Sequence, residues 1–138
     1  MIALDTNILT RLWYGEAEVL RRLATLSESE LSIPVVVLEE VLRGRLNAVR
    51  KAEAGHGRWS LARCYGLLTR SYADLRSFQI LPYTNDCDRL MQTWKEQRVR
   101  VATHDLRIAA IAMTNSATLV TANRRDFELV PGLSVEFW

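Results

Sequence analysis

A recurring succession of short apolar runs and longer stretches of helical periodicity leaves this chain few folds to choose from. The runs Met1 to Leu4, Leu31 to Pro34, Gln79 to Tyr83, Thr118 to Thr121 and Leu133 to Trp138 read as strands, and the segments between them read as helices. Strands alternating with helices imply an α/β fold whose mostly parallel sheet is covered by helices on both faces. Four acids, Asp5, Glu40, Asp105 and Asp126, are far apart in number, yet each sits where a strand stops or a helix begins. In an open parallel sheet the carboxyl ends of the strands share one edge, so side chains leaving that edge converge. Clustered carboxylates repel one another and resist ionisation unless a cation neutralises them, and Mg²⁺ or Mn²⁺ is the simplest candidate.

Element boundaries follow from local chemistry. Ile8, Leu9, Leu12 and Trp13 carry helical spacing up to a break at Gly15, and Val19, Leu20, Leu23 and Leu26 mark a second helix over 16–26. Pro34 suits a strand's end and not a helix interior. Leu38, Val41, Leu42, Leu46 and Val49 then define one face of a helix over 36–49, and residues 59–78 form its partner in a helical hairpin after the breaks at Gly55 and Gly57. A helix over 84–98 has Asp86 and Asp88 in its first turn, where they favourably meet the helix dipole. The helix after His104-Asp105 is rich in small residues that allow close packing on a sheet, and residues 122–127 read as a loop.

A length of 138 residues suits one domain, 1–138, with a full core. Two cysteines, Cys64 and Cys87, without metal-ligand spacing indicate neither a disulfide framework nor a zinc cage. The N-terminus leaves no room for a basic region and apolar signal segment, and no apolar run is long enough to span a membrane. A cytoplasmic location is the expectation. Of the 18 basic residues all but Lys51 and Lys95 are Arg, which is compatible with phosphate binding and equally with genomic composition. Residues 43–76 concentrate eight basic side chains against Glu53 and Asp74; a solvated helix surface accounts for most, and a phosphate track requires several to face the acidic cleft.

The segments MIALDTNIL, LEEVLRG, HDLRIAAIA and TLVTANRRDFELVPGL together resemble the PIN-domain family, in particular the VapC-type toxins of bacterial toxin–antitoxin pairs. The resemblance spans essentially the whole chain. It implies a three-layer PIN-like fold and a Mg²⁺- or Mn²⁺-dependent endoribonuclease, usually a homodimer, held inactive by a cognate antitoxin. Expected products are a 5′-phosphate and a 3′-hydroxyl. Asp5 matches the family's first acid, Glu40 its second, Asp105 its third and Asp126 the acid of its Arg-acid-Phe motif. Asp5 and Asp105 are expected as direct metal ligands, with Glu40 and Asp126 acting through water or at a second metal. Thr6, Thr121 and Asn123 are expected to orient these groups or the substrate. Where some relatives carry an acid two residues after the strand's Thr, this chain has Asn123, which weakens a second metal position.

Each acid also has a plainer reading. Asp5 and Asp105 suit helix N-caps, and Asp126 lies near two arginines that invite a surface ion pair. Glu40 is selected over Glu39 only by the family's spacing to Gly44. Asp86 is read mainly as a cap, bordering the site at most. His104 is a possible base, although a metal-activated water needs none. Trp13, Tyr14, Trp59 and Tyr65 suit core packing, RNA stacking or an antitoxin's apolar segment. A receiver domain is disfavoured because no Lys follows Lys95, and a haloacid-dehalogenase-type phosphatase because Asp5-Thr6-Asn7 lacks a second Asp. The strongest alternative is a catalytically silent PIN-like module that binds RNA or protein.

Overall fold

The computed structural model describes residues 1–138. Its centre is a wholly parallel five-stranded sheet in the order β3-β2-β1-β4-β5. The strands are β1 (Ile2–Leu4), β2 (Leu31–Pro34), β3 (Gln79–Leu81), β4 (Thr118–Thr121) and β5 (Val135–Phe137). Between them lie α1 (Thr6–Trp13), α2 (Ala17–Leu23), α3 (Val35–Glu53), α4 (Leu61–Leu75), α5 (Asn85–Glu96), α6 (Thr103–Thr114) and α7 (Arg124–Phe127). This is the helix-flanked α/β architecture expected from the alternation of elements.

The chain moves outward from β1 to β2 and β3, then returns to place β4 on the other side of β1. Strand order therefore reverses between β1 and β4, which pair in register Leu4↔Val120. Such a reversal opens a crevice beyond the carboxyl ends of the two strands. Strands covered on both faces read as continuous apolar runs, and Ala3, Leu4, Ile33, Leu119 and Val120 are fully buried. Ser32, also buried, satisfies its hydroxyl by donating to the Ile2 carbonyl at 2.7 Å.

The break at Gly15 has a clear backbone cause. Gly15 takes φ +73°, its N–H donates to the Leu12 carbonyl, and the Glu16 N–H donates to that of Arg11. This is the left-handed termination that satisfies the last helical carbonyls and is least strained at glycine. Gly55, at φ +74°, ends α3 in the same way.

Several expected boundaries move. The second helix stops at Leu23, and a 3₁₀ turn over Glu28–Glu30 follows, held by reciprocal bonds between Ser27 and Glu30. Helix α3 continues to Glu53, and Leu46, expected on its apolar face, is 52% exposed. The segment read as a loop after β4 contains the helical turn α7. A turn of four residues shows no periodicity of its own; burial of Phe127 anchors it.

Helix α6 presents Ala109, Ala110 and Ala112, all fully buried, and packs against β4 and α5. Small side chains permit that approach. Ala109→Leu should overpack this interface and lower stability by about 1–3 kcal/mol, read as a shift in the urea midpoint without a change in slope.

Candidate active site

The site is assembled by the parallel pairing of β1 and β4. Beyond the last residue of β1 the ladder continues one step, with the Asp5 N–H donating to the Val120 carbonyl at 3.0 Å. Asp5 is thereby held at the sheet's edge, only 5% exposed. Its Oδ1 accepts from the Thr6 N–H at 2.7 Å, capping α1, so the plainer reading of Asp5 is correct for one of its oxygens. The other oxygen faces across the strands. Oδ2 accepts from the Thr121 hydroxyl at 2.6 Å and from Asn7 Nδ2 at 2.7 Å. Even with these donors, burial dominates and pushes the Asp5 carboxyl above the ordinary carboxylate range.

Asn7 is the group that sequence reasoning missed. Besides Asp5 it reaches the Thr121 hydroxyl through Nδ2 at 3.1 Å, and its Oδ1 accepts from the Ala122 N–H at 2.9 Å. One amide thus ties the start of α1 to the end of β4. The available signal was an asparagine inside a helix's first turn, where its propensity is poor and a specific bond has to justify it.

The other acids arrive from separate elements. Glu40 of α3 accepts from the Thr6 hydroxyl at 2.5 Å, whereas Glu39 turns away to pair with Arg43. Glu40 is therefore the residue that faces the site. His104 Nε2 is buried without a hydrogen-bond partner and lies 3.5 Å from Glu40 Oε2. Asp105 does not cap α6, since Ala102 occupies the N-cap position; it stands within the helix's first turn. Its carboxyl is pushed upward by burial first and then by repulsion from Asp5, Asp126 and Glu40, with His104 opposing. Thr6 bridges Asp5 and Glu40 through its N–H and hydroxyl, the Thr121 hydroxyl and Asn123 link Asp5 to Asp126, and Asp105 lies close enough to feel the charge of all three.

Asp126 enters on α7. Its Oδ2 accepts from Asn123 Nδ2 at 3.0 Å, and the Asn123 N–H donates to the Thr121 hydroxyl at 3.0 Å. The alternative reading of Asp126 as a surface ion pair does not hold: no Arg lies within ion-pair distance of it, and Arg124 lies over the Phe137 ring at 4.2 Å. Asp86 is outside the site, paired with Arg89. Among the four acids, the sole basic contact within ion-pair distance is His104 with Glu40.

The donor set favours a particular kind of cation. No three His, Cys, Asp or Glu side chains close into a ready cage. The acids are nevertheless near enough to raise the carboxyl of Asp105 by mutual repulsion. Hard oxygens in an open arrangement fit Mg²⁺ or Mn²⁺, which keep several waters and take one or two carboxylates, better than a closed zinc site.

The unneutralised charge has a consequence for stability. A carboxyl raised by folding contributes most when protonated, and that contribution disappears as pH rises through its raised value. In EDTA at neutral pH, Asp105→Asn should raise Tm by roughly 1–3 °C, a modest effect because the group is partly solvated. The gain should shrink towards zero as the solution is acidified below the ordinary carboxylate range, as followed by circular dichroism.

A family model for the PIN domain matches residues 2–133. Over 62 residues the chain is 37% identical to "Ribonuclease VapC1" of Rickettsia felis, a match covering 42% of this chain and 46% of that protein. Among solved structures, VapBC2 from Rickettsia felis, bound to a promoter DNA fragment, superposes with a TM-score of 0.74 at 25% identity, covering 100% of this chain and 99% of that one. FitAcB from Neisseria gonorrhoeae superposes with a TM-score of 0.78 at 20% identity, covering 100% and 97% respectively, a likeness of fold.

Proposed function

Since this chain belongs to the PIN-domain family, we propose that it is a metal-dependent endoribonuclease and the toxin of a toxin–antitoxin pair. The observation that carries this reading is that Asp5, Glu40 and Asp126 are joined at one sheet edge through Thr6, Thr121 and Asn123, with Asp105 beside them and no Arg or Lys in ion-pair contact. Charge arranged this way destabilises the protein and so calls for a cationic ligand. The ribonuclease name of the Rickettsia relative and the VapBC complexes among similar folds support the choice of RNA and of an antitoxin.

In this reading residues 1–138 act as one PIN-like domain. Asp5 and Asp105 would hold the Mg²⁺ or Mn²⁺ ion directly, and Glu40 and Asp126 would act through water or at a second metal. When bound, the ion would supply an activated water for attack on the RNA phosphodiester and would offset the charge that builds on the phosphoryl oxygens. The protein's own work is orientation. Thr121 and Asn7 fix the Asp5 carboxylate, Thr6 fixes Glu40 and Asn123 fixes Asp126. Holding these groups before substrate arrives removes a reorganisation cost from the reaction. An antitoxin segment carrying Arg would satisfy the same carboxylates and exclude metal or RNA. A homodimer and a cytoplasmic location complete the proposal; no helix is long and apolar enough to cross a membrane.

Cleavage of a structured RNA pool by purified protein tests this directly. Mg²⁺ or Mn²⁺ should support cleavage and EDTA should stop it, while Asp5→Asn and Asp105→Asn should each lose roughly 100-fold or more. Thr121→Val, which removes only an orienting hydroxyl, should cost roughly 10- to 100-fold. Mg²⁺ should also raise the Tm of the wild type and leave that of Asp105→Asn nearly unmoved. Folded wild-type protein that binds RNA but cleaves none under any metal would sink the nuclease reading in favour of a silent binding module.

A further inference from the structure

The hollow between the end of α1 and the α3–α4 hairpin has no assigned role. It encloses about 260 Å³ and is walled by Trp13, Tyr14 and Trp59 together with Arg45, Arg63 and Arg70. We propose that it binds the single-stranded RNA flanking the scissile phosphate, stacking a base among its aromatic and guanidinium groups and holding backbone phosphates on its arginines. The proposal rests on the ribonuclease reading for its substrate class.

The first argument is the state of the arginines. Arg11, Arg21, Arg22, Arg43 and Arg89 each pair closely with a nearby acid, while Arg98, Arg100, Arg107 and Arg125 form no ion pair; the hollow differs from both in holding arginines that lack a close acid and are also fixed in place. In the hollow Arg45 and Arg63 pair with none, and Arg70 reaches Asp74, the one acid on its wall against three arginines, only at 4.0 Å. These side chains are also held in place. The Arg45 guanidinium lies 5.6 Å from the centre of the Trp13 ring, and its Nε donates to the buried Ser71 hydroxyl at 2.8 Å. Arg63 lies 4.6 Å from the centre of the Trp59 ring. Orientation by stacking leaves their outer N–H groups available at little further entropic cost, and guanidinium planes beside aromatic rings are the surfaces on which unpaired bases stack.

The second argument is position. Helix α1 carries Thr6 at the acidic site and Trp13 at the hollow, about 10 Å apart along the axis. Thr10 lies between them, donates its hydroxyl to the Thr6 carbonyl at 2.9 Å and lines the hollow itself. Tyr14 follows at 85% exposure, well placed to meet a base. On the far side Trp59 is shared with a second hollow that carries Lys51 and Arg58, so positive charge continues along the hairpin. A polyanion is repelled by four carboxylates until metal is present, and an adjoining cationic track offsets that repulsion.

Fluorescence anisotropy with a labelled single-stranded RNA oligonucleotide in EDTA, at graded salt, reads binding without cleavage. Trp59→Ala should weaken binding roughly 5- to 100-fold, and Trp59→Phe, which keeps an aromatic face, should restore most of it. Arg63→Gln with Arg70→Gln should flatten the salt dependence by about 0.7 in log–log slope for each phosphate no longer neutralised. Affinity and slope unchanged in folded variants, or no RNA binding by the wild type, would overturn the assignment; the former would leave the hollow to a protein partner. Failure of the nuclease reading looks different, because a protein that binds through this hollow yet never cleaves defeats the chemistry and keeps the groove.

Discussion

Burial of an ionisable carboxylate at the end of the central strand is the constraint around which the local structure is organised. Asp5 is held there by the backbone itself, through the bond from its N–H to Val120. Once in place, its oxygens must be supplied with donors, because a charge taken out of water without partners is very costly. The donors come from three directions: the first N–H of α1, the hydroxyl that ends β4 and the Asn7 amide. Placing α1 immediately after β1, with no intervening loop, follows from that need. The cap on Asp5 and the proposed metal function are compatible because the carboxylate has about four lone-pair directions and the three bonds leave one unused.

The distribution of basic residues separates binding from compensation. Arginines placed among Asp5, Glu40, Asp105 and Asp126 would stabilise the folded protein and close the site to a cation. Instead, Arg45 and Arg63, which have no acidic partner and lie over aromatic rings, and Arg70, only loosely paired with Asp74, stand on the α3–α4 hairpin. Folding stability is thereby given up at the sheet's edge, and the field needed to attract a polyanion is supplied alongside it. Concentrations of poorly compensated charge of this kind are typical of functional sites.

Much of this arrangement is legible in the sequence, for identifiable reasons. Leu31–Pro34 is found as a strand because Pro34 forbids its continuation as a helix, and Gly15 is found as a break because only glycine easily takes its φ of +73°. The acids could be placed at one edge because a parallel sheet has only one carboxyl edge. What could not be read depends on contacts between distant segments. Helix α7 exists because Phe127 is buried. Leu46 is exposed although its spacing matches the core stripe. The choice between Glu39 and Glu40 turns on a hydroxyl thirty-four residues away in sequence, and the Asn7 bonds cross from α1 to β4.

Asn123 shows what a dipole in place of a charge does beside such a site. Its backbone N–H completes the bonds around the Thr121 hydroxyl, while its side-chain amide donates to Asp126. An aspartate here could keep the first bond but not the second, and it would add a fifth negative group to a cleft that already raises the carboxyl of Asp105 by repulsion. The amide therefore orients Asp126 without increasing the charge a cation must neutralise. On the proposed chemistry, this favours occupancy of the position between Asp5 and Asp105 over a second one near Asp126. On that proposal, the number of ions this edge would hold depends less on how many acids reach it than on whether their neighbours donate a hydrogen bond or carry another charge.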